Sequence, residues 1–221
     1  MSAPVLLEAR QLVVEYARGR RVLDGVDFVL RPGESVAIVG PSGSGKSTLL
    51  AHLAGLRRPD GGEVRFEGRP LASRASRELD RFRARQLGFV FQRAALLPYL
   101  TVRENVCLAL GCLGPRALGE SASRVDRLLE WTGLAPLAER RADRLSVGEA
   151  QRVAVARALV KNPPLVLADE PTGSIDAAGA AAIVDLLLLD RSDRTVVIAT
   201  HDARVSARCE RVLAVQGGRL V

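Results

Sequence analysis

The chain has 221 residues, 48% of them apolar, with a formal net charge of +7. That length suits one domain with a real core, and that apolar fraction excludes a disordered chain. Almost all the basic charge is arginine, since Lys46 and Lys161 are the only lysines; such a surplus can mean nucleic acid or anionic lipid as a partner, but the arginines are scattered and not clustered in runs, which favours a solvated surface. Three cysteines (Cys107, Cys112 and Cys209) without a Cys-x-x-Cys pair argue against a disulfide framework or a zinc site and fit a reducing cytosol. The N-terminus shows no charged-then-apolar leader, and no apolar run approaches the ~18–20 residues of a membrane span, Ile183–Leu189 being broken by Asp185.

Taken in chain order, Val26–Leu30 reads as a strand ended by Arg31-Pro32-Gly33, and Ser35–Val39 as a buried strand that stops at a glycine. Lys46–Gly55 reads as a helix with Leu49, Leu50 and Leu53 on one face, followed by a turn at Pro59-Asp60-Gly61-Gly62 and strands at Val64–Glu67 and Leu87–Phe91. From about Ala94 to Ala158 the periodicity turns helical, as at Val125, Leu128 and Leu129 and again at Val153, Ala156 and Leu159. Strand–helix alternation then returns, with strands at Leu165–Ala168 and Thr195–Ala199, a helix at Ala177–Leu189 between them, and a closing hairpin of Val212–Val215 and Arg219–Val221 around Gly217-Gly218. Parallel strands with helical crossovers predict a three-layer α/β core.

Gly40-Pro41-Ser42-Gly43-Ser44-Gly45-Lys46-Ser47-Thr48 matches the phosphate-loop pattern G-x-x-x-x-G-K-[ST] between a predicted strand and a predicted helix. Glycines let successive backbone N–H groups converge on phosphate oxygens, and the helix N-terminus adds its dipole. Lys46 supplies charge to the β- and γ-phosphates, and the Ser47 hydroxyl completes a Mg²⁺ shell. At the end of the strand Leu165–Ala168, Asp169 is placed to hold Mg²⁺ through water, and Glu170 to polarise the attacking water. These residues predict an ATPase.

With these two motifs, the segment Leu145-Ser146-Val147-Gly148-Glu149-Ala150-Gln151-Arg152 completes an order and spacing that resembles the ATP-binding-cassette (ABC) ATPases. The resemblance spans nearly the whole chain and implies a P-loop NTPase core with an antiparallel β subdomain and an inserted helical subdomain. It puts the core at about 1–93 and 159–221 and the helical lobe at about 94–158. It implies that Ser146 and Gly148 contact the γ-phosphate of ATP held by a second copy. Val147 stands where the family signature usually has its first glycine, and Ala150 where glutamine is common. By the same resemblance Gln92 is the glutamine that touches Mg²⁺ or the water, His201 the histidine that contacts the γ-phosphate, and Tyr16 the aromatic that stacks on adenine. Gly173-Ser174-Ile175-Asp176 lines the dimer seam, and His52 is structural.

Val166–Gly173, Leu96-Leu97-Pro98 and Glu104-Asn105-Val106 look like the branch with lipoprotein-release, macrolide-export and cell-division ATPases. The implied partners are a second copy and separate membrane-spanning permease subunits, with the chain cytoplasmic and peripheral on the inner face of the membrane and no nucleic acid bound. An alternative within the resemblance is an ATP cycle that signals across the membrane without moving cargo. A chromosome-maintenance ATPase would insert a long coiled coil where about a hundred residues separate Thr48 from Leu145 here. A translation-factor type would need two cassettes in one chain.

Overall fold

The computed structural model describes residues 4–16, 19–114, 121–173, 175–188 and 194–221. Two residues invoked above, Ser174 and Leu189, lie outside that set. Among the described residues the strands form two sheets. The antiparallel sheet holds β1 (Leu7–Tyr16), β2 (Arg20–Leu30), β4 (Gly61–Phe66) and β5 (Arg69–Pro70), in the order β2-β1-β4-β5. The second contains β3 (Ser35–Val39), β6 (Leu87–Val90), β7 (Leu165–Asp169), β8 (Thr195–Thr200), β9 (Arg211–Gln216) and β10 (Arg219–Leu220), in the order β10-β9-β3-β8-β7-β6. Only the β9–β10 hairpin in it is antiparallel.

Both faces of the parallel sheet are covered, so its strands are apolar throughout instead of alternating. Leu165 and Leu167 of β7 join one core cluster, with the antiparallel sheet and α1 (Lys46–Leu53), while Val166 and Ala168 join the other, beneath the helices. Helix α1 contacts β1 and β2 on one side and β7 and β8 on the other. It buries Leu49, Leu50 and Leu53 completely, and His52, 2% exposed, bonds through Nδ1 to Thr48 O at 2.7 Å, which bears out the structural reading of that histidine.

Further α-helices among the described residues are α2 (Ser76–Gln86), α3 (Val102–Gly111), α4 (Ala122–Trp131) and α5 (Val147–Leu159). Beyond β7 come α6 (Ala177–Leu188) and the single turn α7 (Ala203–Ser206). Helix α3 starts at Thr101, whose hydroxyl accepts from Glu104 N while the Glu104 carboxylate accepts from Thr101 N, the reciprocal box that satisfies two orphan donors. Buried Asn105 donates to the carbonyls of Leu97 and Thr101 and accepts from Leu97 N, so the loop before α3 is built around one amide. Helix α5 runs through Leu159, past the lobe boundary expected at 158.

The structure lengthens and shifts several elements. Strand β1 has no counterpart among the predicted elements because its alternation breaks: Leu7 and Ala9 are buried, then Leu12 and Val14. The phase slips at Gln11, where φ is 47° and the register with β2 and β4 shifts; such a bulge hides the period of two. Opposite it, Gly62 belongs to β4 and not to a turn, has a φ of 72°, and would place a Cβ 2.2 Å from Gln11 O. Helix α2 is equally invisible by pattern, since it buries only Phe82. β6 ends at Val90, so Gln92 sits two residues beyond the strand and not at its end.

Gly62→Ala combines a backbone clash with left-handed strain, and each effect costs about 1–3 kcal/mol. It should lower unfolding free energy by roughly 2–5 kcal/mol in urea titrations. Gly68→Ala should cost about 1 kcal/mol, since Gly68 also has positive φ but nothing within 4 Å of its Cβ position. Equal losses in the two variants would show that the packing against Gln11 is immaterial.

Candidate active site

Three neighbouring strands of the parallel sheet end at one level. Val39 of β3 pairs with Thr200 of β8, and Ala199 of β8 pairs with Asp169 of β7. The residues that follow, Gly40, His201 and Glu170, are thereby gathered at the carboxyl edge of the sheet, where ligands of open α/β folds bind.

The loop Gly40–Thr48 leaves β3 and enters α1. Gly45 is the N-cap of α1 with φ 110°, and a Cβ there would lie 3.1 Å from Val22 O, so the close approach of loop and β2 needs a bare α-carbon. No side chain caps the helix, which leaves its first N–H groups and its positive dipole end for an anion. The Ser44 hydroxyl is buried without a hydrogen-bond partner, a second polar group that the chain itself leaves unsatisfied. A cavity of about 490 Å³ opens beside the loop, lined by Tyr16, Arg20, Val22, Gly43, Lys46 and Thr48 among others. Tyr16, 44% exposed, reaches the loop through a 3.0 Å hydrogen bond between its hydroxyl and Thr48 Oγ1. That places an exposed ring at the cavity rim, as an adenine-stacking residue requires.

Lys46 is only 6% exposed. Its Nζ donates to Gly40 O at 2.8 Å and Pro41 O at 3.1 Å and stands 3.5 Å from Glu170 Oε1. Ser47 Oγ donates to Asp169 Oδ1 at 2.9 Å, tying the helix start to the end of β7. Burial pushes the Asp169 carboxyl above its ordinary value, and the neighbouring Glu170 charge adds to that, while Ser47 and Lys46 pull the other way. Glu170, 8% exposed, has φ 45°, and its N–H donates to Ala199 O at 2.9 Å. A non-glycine residue held in that conformation is strained, a state that persists where surrounding structure over-determines it and that clusters at active sites. Glu170 Oε2 lies 2.9 Å from His201 Nδ1, whose ring is 63% exposed. The expected phosphate loop, Asp169, Glu170 and His201 are thus brought together in one chain.

A hydroxyl and a carboxylate 2.9 Å apart, both hard oxygen donors, fit Mg²⁺, which takes one or two protein ligands and completes its octahedron with phosphate oxygens and water. No cluster of three or more His, Cys, Asp or Glu able to hold a metal occurs among the described residues.

The other expected site residues stand apart from this cluster. Ser146 is the N-cap of α5: its hydroxyl accepts from Glu149 N at 3.3 Å, and Glu149 Oε2 accepts from Ser146 N at 2.7 Å. That N–H holds the Glu149 carboxyl below its ordinary value. Val147 is 63% exposed, and a Cβ on Gly148 would meet only ordinary contacts, the nearest Ile175 Cγ2 at 3.6 Å. The chain's own packing therefore does not require glycine at 148. Asp176 is exposed and caps α6, with Oδ1 accepting from Gly179 N at 2.7 Å. Gln92 is exposed in the loop after β6. Ser146, Gly148 and Asp176 form no hydrogen bond or ion pair with Lys46, Asp169 or Glu170.

Two groups of residues escaped the sequence reading. Arg20 and Val22 line the cavity only because β2 runs beside the loop, and no motif marks them. Gln151 and Arg157 of α5 hold the loop that carries Gln92: Gln151 Nε2 donates to Phe91 O at 3.1 Å, and Arg157 donates to Ala94 O and Ala95 O at 2.7 and 2.9 Å. Burial lowers the Arg157 pKa. The mixed burial of α5 was the only available signal for these.

The family model described as ABC transporter matches residues 23–173. The chain is 45% identical to the lipoprotein-releasing system ATP-binding protein LolD of Pseudomonas fluorescens, with 100% of this chain and 99% of that protein covered. It is 44% identical to LolD 2 of Rhodospirillum rubrum, covering 98% and 96%. The dimeric post-hydrolysis structure of the ATP-binding cassette MJ0796 bound to ADP and Pi matches with a TM-score of 0.88 at 35% identity, over 97% of this chain and 96% of that one. For cbiO1 of Clostridium perfringens, part of the ABC transporter complex cbiONQ, the TM-score is 0.84 at 30% identity, over 99% and 87%.

Asp169 has a carboxyl that binds its proton more tightly folded than unfolded, so it contributes stability at low pH that is lost as pH rises from the unfolded to the folded pKa. Asp169→Asn keeps an acceptor for Ser47 and removes that loss. Its thermal midpoint near neutral pH, without nucleotide, should exceed that of the parent, and the gain should shrink in acid below the ordinary carboxylate range. Magnesium-dependent ATP binding should fall at the same time. A lower midpoint at neutral pH would contradict the assignment of burial as the dominant influence on this group.

Proposed function

From the membership of this chain in the ABC transporter family, as one of its ATP-binding and hydrolysing subunits, we propose that two copies close on two ATP molecules and drive a separate membrane permease that releases lipoproteins. The observation that carries the pairing is a site built in halves. Phosphate loop, Asp169, Glu170 and His201 converge at one edge, while Ser146, exposed, and Gly148, half-buried, lie at the start of α5 and unbonded to them. A second copy turned by a two-fold axis supplies to each γ-phosphate what its own chain leaves out.

Within each half, loop N–H groups and the α1 dipole hold the phosphates, and Lys46 exchanges the Gly40 and Pro41 carbonyls for phosphate oxygens. Ser47 and Asp169 would hold Mg²⁺, which when bound draws charge from the β- and γ-phosphates. Glu170 orients and deprotonates the attacking water, with His201 beside it keeping the carboxylate turned to the γ-phosphate position. Gln92 would hold the metal or the attacking water. ATP binding joins the copies, and hydrolysis lets them part. The lobes at 1–93 with 159–221 and at 94–158 move against one another in that cycle. No described helix is long and apolar enough to cross a membrane; in this reading the chain sits on the cytoplasmic face against the permease. The lipoprotein assignment is supported by the 45% identity to LolD of Pseudomonas fluorescens across both full lengths.

Glu170→Gln should slow turnover roughly 10²–10⁴-fold and accumulate an ATP-bound dimer visible by size-exclusion chromatography. Undiminished hydrolysis would remove Glu170 from the role of base. Lys46→Ala should lose nucleotide binding in titration calorimetry, and retained affinity would count against the loop. With its permease in vesicles carrying a lipidated protein, the chain should free that protein to a soluble acceptor only with ATP. Hydrolysis without release would favour a signalling cycle.

A further inference from the structure

The arginines of α2 line up. Arg77, Arg81 and Arg85 follow one another at intervals of four, which places them on one face of the helix. All three are exposed. Like charges at that spacing repel and weaken a helix, and Arg77, in the first turn, also opposes the helix dipole. The carboxylates of α2 do not relieve this. Asp80 pairs with Arg83, and Glu78 accepts from Ala75 N at the helix start. Ala75 has no side-chain oxygen to return that bond, only its backbone carbonyl, which accepts from Glu78 N at 2.8 Å, so the Glu78 carboxylate is the one side-chain cap. Among the described residues, none of Arg69, Arg77, Arg81 and Arg85 has an ion-pair partner.

The neighbouring surface continues the pattern. A groove of about 450 Å³ lies between β5 and α2, lined by Arg69, Arg74, Arg81 and Arg85, with Glu78 its one acidic residue. Arg74 is anchored there: its guanidinium lies 5.5 Å from the Phe82 ring centroid and donates to Phe66 O at 3.4 Å. The Phe82 ring is turned inward, 4.8 Å from that of Phe66. The face is therefore charge without an exposed aromatic to stack bases and without an apolar pocket to anchor a peptide side chain.

We infer that the arginine row of α2, with Arg69 and Arg74 beside it, docks on anionic phospholipid headgroups, giving the cassette a direct contact with the membrane surface in addition to its permease. Guanidinium forks match phosphate oxygens. The row from Arg77 to Arg85 extends about 12 Å along the helix, which suits several headgroups side by side better than one small anion, for which donors must converge. Repulsion along the row is relieved when lipid phosphates interleave with it. Helix α2 leads without a break into β6 and so to the loop of Gln92, which places this contact on the same stretch of chain as the loop that joins the site. The inference concerns lipid and not nucleotide, and it stands or falls separately from the ATPase reading.

The test is co-sedimentation of the purified full chain with extruded vesicles, either phosphatidylcholine alone or phosphatidylcholine with about one third phosphatidylglycerol. The chain should bind only the anionic vesicles, and less as salt rises. At roughly fivefold per arginine, the triple variant Arg77→Gln, Arg81→Gln, Arg85→Gln should lose on the order of a hundredfold in partitioning, with basal ATPase activity and thermal midpoint kept as evidence of folding. A control, Arg124→Gln, Arg127→Gln, Arg208→Gln, removes the same charge elsewhere and should lose several-fold at most. Equal losses in the two triples would reduce the effect to net charge and overturn the inference. So would absence of binding to anionic vesicles, or a triple variant of α2 that keeps vesicle binding and instead loses its hold on the permease. Inorganic phosphate at millimolar concentration should not compete; if it displaces the chain from vesicles, the face is a site for a free anion.

Discussion

Everything in the site depends on three parallel strands ending at the same level. Register alone decides which residues meet: Val39 opposite Thr200 and Ala199 opposite Asp169 bring a loop, a carboxylate pair and a histidine, far apart in the chain, to one edge. A slip of one residue in β7 would turn Asp169 to the other face of the sheet and out of reach of Ser47, because side chains alternate along a strand. The unbroken apolar character of β3, β7 and β8 serves this register, since core on both faces leaves the strands no alternative position.

The charge arrangement inside the site is balanced and strained in equal measure. Two carboxylates adjoin in the chain, one raised by burial and one forced to positive φ, with a buried lysine 3.5 Å from the second. None of these features favours the folded state by itself. They are held by the sheet below and by α1, which is wedged between two sheets with Ser47 its one exposed residue. Stability invested in the scaffold keeps the reactive groups in positions they would not choose.

The parts that the sequence discloses are those where local chemistry and global position agree. The phosphate loop declares itself because its backbone needs glycines and its ligand needs a lysine, and the buried strands because nothing polar interrupts them. The antiparallel strand β1 stays hidden behind the bulge at Gln11, which shifts Leu12 and Val14 out of phase with Leu7 and Ala9. Helix α2 hides for the opposite reason, since one buried phenylalanine amid arginines leaves no apolar stripe to read. Cavity residues such as Arg20 owe their place to tertiary proximity, which has no local signature. The roles proposed for Ser146 and Gly148 are legible only through the family, because that chemistry would act on nucleotide held by another molecule.

The three side-chain bonds from α5 to the segment Phe91–Ala95 have a mechanical implication. Gln151 and Arg157 lie about 1.7 turns apart on a rigid rod, and between them they grip three main-chain carbonyls, so the loop is clamped to the helix whatever side chains it carries. The same rod is capped at Ser146, the residue proposed above to meet the twin molecule. In that reading, tension applied to the loop would be delivered along the helix to the opposite nucleotide, and the push would return by the same route. One lever would then serve as both sensor and actuator, and substitutions on the exposed face of the loop would be tolerated far better than loss of either gripping residue.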